Sequence, residues 1–474
     1  MAVSTKYEIV IGLETHIELS TKSKLFCGCS AKFGGEPNTN VCPVCLGHPG
    51  ALPALNRNAV EFTAMAGLAL GCGIPGLSYM DRKHYFYPDL PKAFQTSQFH
   101  HPICIGGSVT LSDGRVMRLN HIHLEEDAGK LVHERGKTLV DYNRGGVPLM
   151  ELVGEPDLRS AEDAVEYLEI LQGIMRTIGV SDCRMQEGSM RCDVNISLHL
   201  PGTEYGTRAE IKNLNSFVSV RQAIEFEAER QSDILEAGGS VRQETRGFDA
   251  NTGETYSLRS KENSDDYRYF PEPDIIPIRL KPETVKELLA RIPELPRARA
   301  ERYIEQFGLS EKDAALISKY RRVAEYFDTA VTESATGNGK LAANLILSQM
   351  FAKISTETER EEWSPPVSAN QLGELIALTD SGKINNNVAK RVLSAMWDSG
   401  KDAAVIIKEQ GFDGPALDAE ALCKAAIDAN PTAAADFKAG KEKALQALIG
   451  YVMKESRGKA PADEVRATLA RLLS

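Results

Sequence analysis

The sequence lacks any run of about 18 uncharged apolar residues, which is the length that a membrane-spanning helix needs. Its first residues, Met1 to Val10, include Lys6 and Glu8 and have no apolar stretch of the kind found in secretory signals. We therefore expect neither a membrane segment nor a secretory signal, and we predict a cytoplasmic protein.

Histidine is absent after His199, and cysteine is scarce in the same part of the chain. There are 9 cysteines, and Cys423 alone lies beyond residue 192. An odd number of cysteines in a long chain without a signal argues against a disulfide framework and for a reducing compartment. Side chains suited to metal binding and proton transfer are thus concentrated in the first 200 or so residues. This distribution predicts that the catalytic residues lie in the N-terminal part of the chain and that the C-terminal part serves in docking.

Positively charged residues are fewer than negatively charged ones. The chain has 55 Lys and Arg residues and 66 Asp and Glu residues, for a net charge of −11. This excludes a global basic field for nucleic acid, although it leaves room for a local patch. The hydrophobic content of 42% and the charged content of 26% exclude a mainly disordered chain. A length of 474 residues predicts two to four domains.

The first 280 or so residues contain short runs of alternating polar and apolar residues, punctuated by Gly and Pro, which are typical of strands. These runs cover 8–19, 109–111, 116–126, 139–142 and 194–200. Helices are predicted over 56–70, 160–178 and 219–236. A capping box from Ser160 and Asp163 opens the second of these helices. Because helices do not regularly separate the strands, the pattern favours an α+β fold over a doubly wound parallel sheet.

From about residue 285 the pattern is helical to the end, with breaks at Pro and Gly. Two amphipathic helices are predicted over 370–378 and 387–397, followed by a last small bundle over 413–474. The sequence contains no repeat of fixed period and no low-complexity tract.

Cys27 and Cys29 form one close pair of thiols, and Cys42 and Cys45 form another. Two such pairs joined by a loop allow four thiolates to converge tetrahedrally on zinc. Because four thiolates leave no open coordination position, we predict a structural zinc knuckle over 27–45 and not a catalytic zinc. Four buried or incidental cysteines are the alternative.

Within the strand predicted over Ile11 to Leu19, Glu14, His16 and Glu18 share one face. Successive residues on one face of a strand lie about 7 Å apart. Two carboxylates and an imidazole in such a row suit a hard cation and the phosphates that it carries. A solvated strand face is the alternative.

Acidic side chains also concentrate in three other stretches. The segment over 119–130 contains Glu125 and Glu126, and Glu151 lies among apolar neighbours. A buried carboxylate needs a partner such as a metal or a basic group. In the segment over 190–197, Asp193 shares one strand face with Arg191. A polar loop with surface carboxylates is the alternative for the first segment.

The basic residues that could hold phosphates occur without a P-loop or a kinase glycine-rich loop. Arg82 and Lys83 stand in an aromatic segment, and Lys92 and Lys212 are further candidates. A nucleotide would therefore have to be held by Mg²⁺ and by Arg and Lys side chains on a sheet. Each of these residues taken alone is more often a surface charge.

Several long motifs occur in order along the chain, and together they carry a resemblance. They are IGLETHIEL, the paired cysteines, DRKHYFYPDLPKAFQTSQ, HLEEDAGK, MRCDVNISL, EIKNLNSF and SDDYRYFPEPD. The chain resembles the B subunit of the bacterial glutamyl/aspartyl-tRNA amidotransferases from about Lys6 to Ser474. The resemblance implies an α+β cradle domain similar to glutamine synthetase catalytic domains over 1–290, with a mixed or antiparallel sheet. A helical domain over 291–408 and a helical tail similar to the YqeY module over 409–474 would follow.

The resemblance also implies a ligase that forms a carbon–nitrogen bond with glutamine as the amido donor. ATP would phosphorylate the side-chain carboxylate of Glu or Asp carried on tRNA(Gln) or tRNA(Asn), and ammonia would displace the phosphate. Which of the two amidated tRNAs is made depends on the synthetases of the organism. Implied cofactors are ATP, Mg²⁺ and a structural Zn²⁺. Implied partners are a glutaminase A subunit, a small C subunit and the tRNA.

Carried over by position, the catalytic and magnesium-binding residues of the resemblance are Glu14, His16, Glu126 and Glu151, with Glu125 as a further magnesium ligand. We assign Arg82, Lys83, Arg191 and Lys212 to phosphates or to the activated carboxylate from their charge and motif. The tail would bind tRNA through Lys454, Arg457 and Lys459.

Two other functions stay open at this point. One is a non-catalytic, zinc-stabilised adaptor that binds tRNA, and it would have no need of the gathered carboxylates. The other is a free-standing ligase acting on a small amino acid, against which the tail module argues.

Overall fold

The structure is a computed structural model that describes residues 6–260, 264–412, 419–439, 441–456, 460 and 462–473. The chain divides into two compact units, Met1–Leu295 and Pro296–Ser474. The first unit contains a large mixed sheet with helices, and the second unit is helical. The predicted α+β class followed by helices is thereby confirmed. None of the helices that the structure describes is long and apolar enough to span a bilayer.

The longest strands of the first unit are β1 and β7, of 11 residues each, and β11, of 10 residues, and all three belong to the large sheet. The strands are β1 (Glu8–Glu18), β2 (Leu77–Ser78), β3 (Asp81–His84), β4 (Phe94–Ser97), β5 (Cys104–Ile105), β6 (Ser108–Thr110), β7 (Val116–Glu126), β8 (Lys130–Glu134), β9 (Lys137–Asp141), β10 (Pro148–Gly154), β11 (Met190–His199), β12 (Ala209–Leu214), β13 (Glu244–Asp249), β14 (Glu254–Ser260), β15 (Phe270–Pro271) and β16 (Ile278–Arg279). The helices of this unit are α1 (Arg57–Ala69), α2 (Ala161–Ile178), α3 (Phe217–Glu236) and α4 (Pro282–Ala290).

The large sheet has the strand order β14-β13-β12-β11-β1-β10-β7-β5, with β6 paired to β7. Its pairings are antiparallel except for the parallel pair β12 and β13. Three small sheets pair β15-β3-β4, β16-β2 and β8-β9. β1 therefore lies in the interior of the large sheet, between strands that are distant from it in sequence.

One face of β1 forms the core of the unit, and the other face is polar. Ile11, Leu13 and Ile17 are buried on the face that packs with the helices, in one cluster with residues of α1, α2 and α3. Glu14 and His16 alternate with them, because successive side chains of a strand point to opposite faces. The apolar face fixes which way the strand faces, and the acidic row is thereby held on the opposite side.

Helix α2 shows how local sequence sets an element boundary. The Ser160 side chain accepts a hydrogen bond from the Asp163 backbone N–H at 3.0 Å, as the N-cap prediction requires. The reciprocal half of the predicted capping box is not formed, because the Asp163 carboxylate accepts hydrogen bonds from Arg115 instead. The helix ends at Gly179, whose φ of 73° is the left-handed conformation that glycine adopts without strain.

The second unit contains two groups of buried apolar side chains. One includes Tyr303, Phe327 and Leu375, and the other includes Leu448 and Leu469. Its helices are α5 (Pro296–Phe307), α6 (Glu311–Lys319), α7 (Arg321–Glu333), α8 (Gly339–Leu345), α9 (Phe351–Lys353), α10 (Glu357–Glu362), α11 (Ala369–Asp380), α12 (Asn386–Ser399), α13 (Ala403–Glu409), α14 (Ala419–Ala429), α15 (Pro431–Lys438), α16 (Leu445–Glu455) and α17 (Ala462–Leu473).

Candidate functional site

The polar face of the large sheet gathers acidic side chains from strands that are distant in sequence. β10 and β11 run antiparallel on either side of β1, and β7 pairs with β10. Side chains opposite one another in neighbouring strands lie within contact distance. Two clusters of potential cation ligands result, one on each side of β1.

The first cluster consists of His16, Glu125 and Glu151, and we call it the histidine–carboxylate cluster. His16 faces Glu151 across β1 and β10, and the Nε2 of His16 lies 3.3 Å from a Glu151 oxygen and 3.9 Å from a Glu125 oxygen. One potential ligand atom from each member lies within 4.8 Å of the others. His123 adjoins the cluster, with its Nε2 3.3 Å from Glu151 and 3.5 Å from Glu125. Two carboxylates and one imidazole thus surround one point of the sheet face.

The charged groups of this cluster oppose the effect of burial on one another's pKa values. Burial alone would raise the pKa of Glu151, but His16 and His123 hold that pKa well below its usual range. Burial alone would lower the pKa of His123, but Glu151 and Glu125 raise it to about 10. The Ser97 hydroxyl donates a hydrogen bond to Glu125 at 3.1 Å. The two histidines therefore favour the ionised form of Glu151, which is the form that binds a cation.

The second cluster consists of Glu14, Asp193 and Glu210, and we call it the acidic cluster. The Nζ of Lys212 lies 2.8 Å from Asp193 and 3.0 Å from Glu210, and Asn195 donates a hydrogen bond to Glu14 at 2.9 Å. Burial and the nearby carboxylates raise the pKa of Glu14. Three carboxyl groups gather around Lys212 here, so the cluster favours a further positive charge.

Glu126 lies on the opposite face from its neighbour Glu125, because the two are consecutive in β7. Its carboxylate pairs with the Lys92 ammonium and accepts a hydrogen bond from the Thr96 backbone N–H at 2.9 Å. The structure therefore brings His16, Glu125 and Glu151 together, but it places Glu14 in the acidic cluster and Glu126 in neither cluster.

The predicted phosphate-binding residues Arg82 and Lys83 are also neighbours that face different ways. Arg82 donates two hydrogen bonds of 2.7 Å to Glu272, so its charge is already balanced by a carboxylate. Burial opposes the charge of Lys83, but Tyr269 and Glu125 on its own side raise its pKa. Lys83 thus lies toward the histidine–carboxylate cluster, and Arg82 does not.

Arg191 borders a cavity of about 500 Å³, which we call the arginine cavity. It donates a hydrogen bond to Asp127 at 2.8 Å, and Arg144 lies 3.5 Å from the same carboxylate. Burial and Asp127 raise the pKa of Glu18, which also lines the cavity, to about 9. Glu18 and His16 share one face of β1, so the arginine cavity adjoins the histidine–carboxylate cluster. Its volume is enough for part of a substrate.

The four predicted zinc ligands come together. A sulfur atom from each of Cys27, Cys29, Cys42 and Cys45 lies within 4.8 Å of the others, and all four cysteines are free of disulfides. This donor set fits a tetrahedral zinc.

Of the predicted tRNA-binding residues, Lys454 lies near the end of α16 and is exposed. Arg457 and Lys459 lie outside the described residues.

Sequence reasoning missed Glu210, a member of the acidic cluster, and His123, which adjoins the histidine–carboxylate cluster. Glu210 stands two positions before Lys212, and alternation in a strand places the two on one face, although only the lysine is conspicuous as a phosphate ligand. His123 lies among other polar residues in the segment over 119–130, so nothing in its immediate neighbours distinguishes it. Its spacing of two from Glu125 is the signal that puts both on the same face of β7.

Comparison with known proteins covers most of the chain. A family model described as the GatB/GatE catalytic domain matches residues 9–286, and a model described as the GatB domain matches residues 325–473.

Curated relatives named as the B subunit of aspartyl/glutamyl-tRNA(Asn/Gln) amidotransferase are similar over nearly their whole length. The relative from Thermoanaerobacter sp. (strain X514) is 48% identical over 96% of this chain and 97% of its own. The relative from Caldicellulosiruptor saccharolyticus is 49% identical over 96% of both chains. The relative from Carboxydothermus hydrogenoformans is 46% identical over 98% of both chains.

Proposed function

The chain belongs to the family of aspartyl/glutamyl-tRNA amidotransferase B subunits, and on that basis we propose that it catalyses the ATP-dependent step of tRNA-dependent amidation. The substrate would be Glu carried on tRNA(Gln) or Asp carried on tRNA(Asn). The product would be the corresponding Gln-tRNA or Asn-tRNA for translation.

The reaction needs activation because a carboxylate does not react with ammonia, since oxide is a poor leaving group. Transfer of the γ-phosphoryl group of ATP to a carboxylate oxygen gives an acyl phosphate and ADP. Ammonia then attacks the carbonyl carbon, and phosphate leaves with its bonding electrons to give the amide. Such catalysis consists mainly of positioning and charge stabilisation, with no covalent protein intermediate.

The gathering of two cation-ligand clusters on one sheet face is the observation that carries this proposal. His16, Glu125 and Glu151 would hold one Mg²⁺, and the acidic cluster would hold a second cation, since carboxylate oxygens are the ligands that Mg²⁺ prefers. Bound Mg²⁺ would supply neutralisation of phosphate charge. An adaptor that only binds tRNA has no use for such a buried acidic face, so the geometry favours the enzyme.

The basic residues around the two clusters would orient the anionic groups of the substrates. Lys212 lies within the acidic cluster, and Lys83 faces Glu125. Arg191 borders the arginine cavity. We assign these three to phosphates or to the activated carboxylate, whereas Arg82 and Glu126 serve the structure through their own ion pairs.

The four cysteines would hold a structural Zn²⁺, because a complete set of thiolates leaves no position for a substrate. Ammonia would come from a glutaminase A subunit, and a small C subunit would join the two in a cytoplasmic complex. The tail with Lys454, Arg457 and Lys459 would contact the tRNA.

The test is amide formation on each mischarged tRNA by the assembled complex, with glutamine or with ammonium supplied directly. Glu151→Gln should lower the rate by at least about 100-fold with either nitrogen source, because it removes a charged ligand of the phosphate-binding cation. It should leave tRNA affinity unchanged. Glu169→Gln, on the exposed side of α2, is the matched control. Amide formation by Glu151→Gln at the control's rate would refute the site, and comparison of the two tRNAs would identify the product.

A further inference from the structure

Lys24 is a lysine that is completely buried at the base of the four-cysteine site, with 0% of its surface exposed. Its ammonium donates a hydrogen bond to the Tyr142 carbonyl at 2.9 Å and lies 3.7 Å from the Cys45 sulfur. Burial of an ammonium group costs free energy unless a nearby negative charge balances it. The question is therefore which group balances Lys24.

No carboxylate supplies that balance among the residues that the structure describes. Lys24 lines a cavity of about 200 Å³ together with Glu126, Glu272 and Asp274, but each of these carboxylates pairs with Lys92 or Arg82 and none forms an ion pair with Lys24. Lys92 pairs with Glu126, and Arg82 pairs with Glu272. The Cys45 sulfur is thus the negatively charged partner that the surroundings leave for Lys24.

The four-cysteine site has the opposite imbalance. Four thiolates carry four negative charges and zinc carries two positive ones, so a zinc-loaded site keeps an excess of negative charge. Hydrogen bonds and positive charges around metal ligands commonly contribute about 10-fold to 100-fold to metal affinity. A buried ammonium in contact with one thiolate meets this need.

Lys24 also joins the knuckle to the wall of the arginine cavity. Its other partner, Tyr142, begins the segment that carries Arg144, and Arg144 lines that cavity. On the knuckle side, Asn38 accepts a hydrogen bond from the Tyr142 N–H at 2.8 Å and donates one to the Val140 carbonyl at 2.9 Å. The segment over 140–144 is therefore held both by Asn38 of the knuckle and by Lys24, which contacts the knuckle at Cys45.

We propose that Lys24 is the charge-balancing positioning residue of the four-cysteine metal site, and that through it the bound metal orders the segment over 140–144 beside the cavity. This inference rests on the zinc assignment proposed above. The residue does not bind the metal; it neutralises the Cys45 thiolate and holds the Tyr142 carbonyl at the same time.

The test compares Lys24→Met with Lys22→Met in the full-length, zinc-loaded protein. Met matches the aliphatic stem of lysine and removes its charge, and Lys22 is exposed two residues away. Zinc release to a chelator should be about tenfold faster in Lys24→Met than in wild type, and unchanged in Lys22→Met. Hydrogen exchange of the 140–147 peptide should also be faster in Lys24→Met.

Chelation provides the readout that a merely structural role would not move. In the wild type, zinc removal should raise exchange of the 140–147 peptide to the level of Lys24→Met, and in chelated protein the two should be equal. Lys24→Gln keeps a donor for the Tyr142 carbonyl, so it serves as the charge-only variant if Lys24→Met does not fold. Its zinc release should be accelerated in the same way.

The possible failures are distinguishable. Wild-type protein without bound zinc would refute the metal site itself. Zinc-loaded protein from which Lys24→Met and Lys24→Gln release metal at the wild-type rate would refute only the role of Lys24. Equal acceleration of exchange by Lys24→Met in loaded and chelated protein would show a packing residue and overturn the proposal.

Discussion

Glu18 and Asp127 are two carboxyl groups that share a buried position beside Arg191 and Arg144. Burial and Asp127 raise the pKa of Glu18 to about 9, whereas the two arginines hold the pKa of Asp127 below its usual range despite burial. Between its unfolded pKa of about 4.5 and about 9, folded Glu18 keeps a proton that the unfolded chain has lost. The contribution of Glu18 to stability is therefore greatest at low pH and decreases as pH rises through this window.

Glu18→Gln should remove this pH dependence. A single proton changes the free energy of unfolding by at most about 1.4 kcal/mol per pH unit, which is the largest slope that the substitution should abolish. The measurement is urea unfolding of the wild type and the variant across the pH window, with Glu169→Gln as control. We expect the free energy of unfolding of the variant to increase relative to that of the wild type as pH rises. A constant difference between them would mean that Glu18 ionises normally.

Individual site residues are only partly predictable from the sequence. The shared face of Glu14 and His16 could be predicted because they alternate with the apolar residues of β1, whereas Glu151 was indicated by its apolar neighbours and by the resemblance. The choice between Glu125 and Glu126 could not be predicted, because β7 ends in consecutive acidic residues and both of its faces are buried there. Which of the two side chains shares the sheet face of His16 depends on the register of β7 with β10, and that register is a tertiary property.

At the scale of single elements, the N-cap of α2 is a local interaction with a predictable cost. Ser160→Ala removes the acceptor for the Asp163 N–H and should lower the free energy of unfolding of the first unit by about 1 kcal/mol. Ser160→Thr keeps the hydroxyl and should stay close to the wild type. Urea unfolding followed by far-ultraviolet circular dichroism provides the comparison. Equal loss in both variants would assign the effect to packing and not to capping.

Element bounds could be predicted well wherever local signals were strong. The prediction of 116–126 for β7 is confirmed, and α1 and α2 begin and end within one residue of their predicted bounds. β11 begins at Met190, before the run predicted over 194–200, and the alternation that places Arg191 and Asp193 on one face extends the strand to that residue. The parallel pairing of β12 with β13 had no local signal, since it joins strands separated by all of α3.

At the scale of the whole molecule, the limits of the units depend on which core each segment enters. α4 ends at Ala290 and contacts α1, and the division between the two units falls after Leu295. Phe412 is buried in the same apolar group as Ile406 and Phe327. A limit at residue 408 would remove that side chain from its core, so we propose that the tail begins after Phe412.

Removal of residues 413–474 should therefore weaken tRNA binding without unfolding the rest. The tail contributes three proposed phosphate contacts, and each contact should account for about 0.7 to 0.9 in the slope of log K against log salt. We expect the complex with the truncated chain to bind tRNA less tightly and with a slope smaller by about two to three. Filter binding over a salt series measures both quantities.

The matched control for this truncation is full-length protein with Lys454→Gln, Arg457→Gln and Lys459→Gln combined, which removes the charges and keeps the fold of the tail. The two proteins should show the same loss of slope, because only the phosphate contacts generate it. Tryptophan fluorescence of Trp363 and Trp397 reports whether the helices over 296–412 survive, since both lie in or beside their core. Unchanged tRNA affinity with an intact fluorescence signal would show that the tail has a different partner.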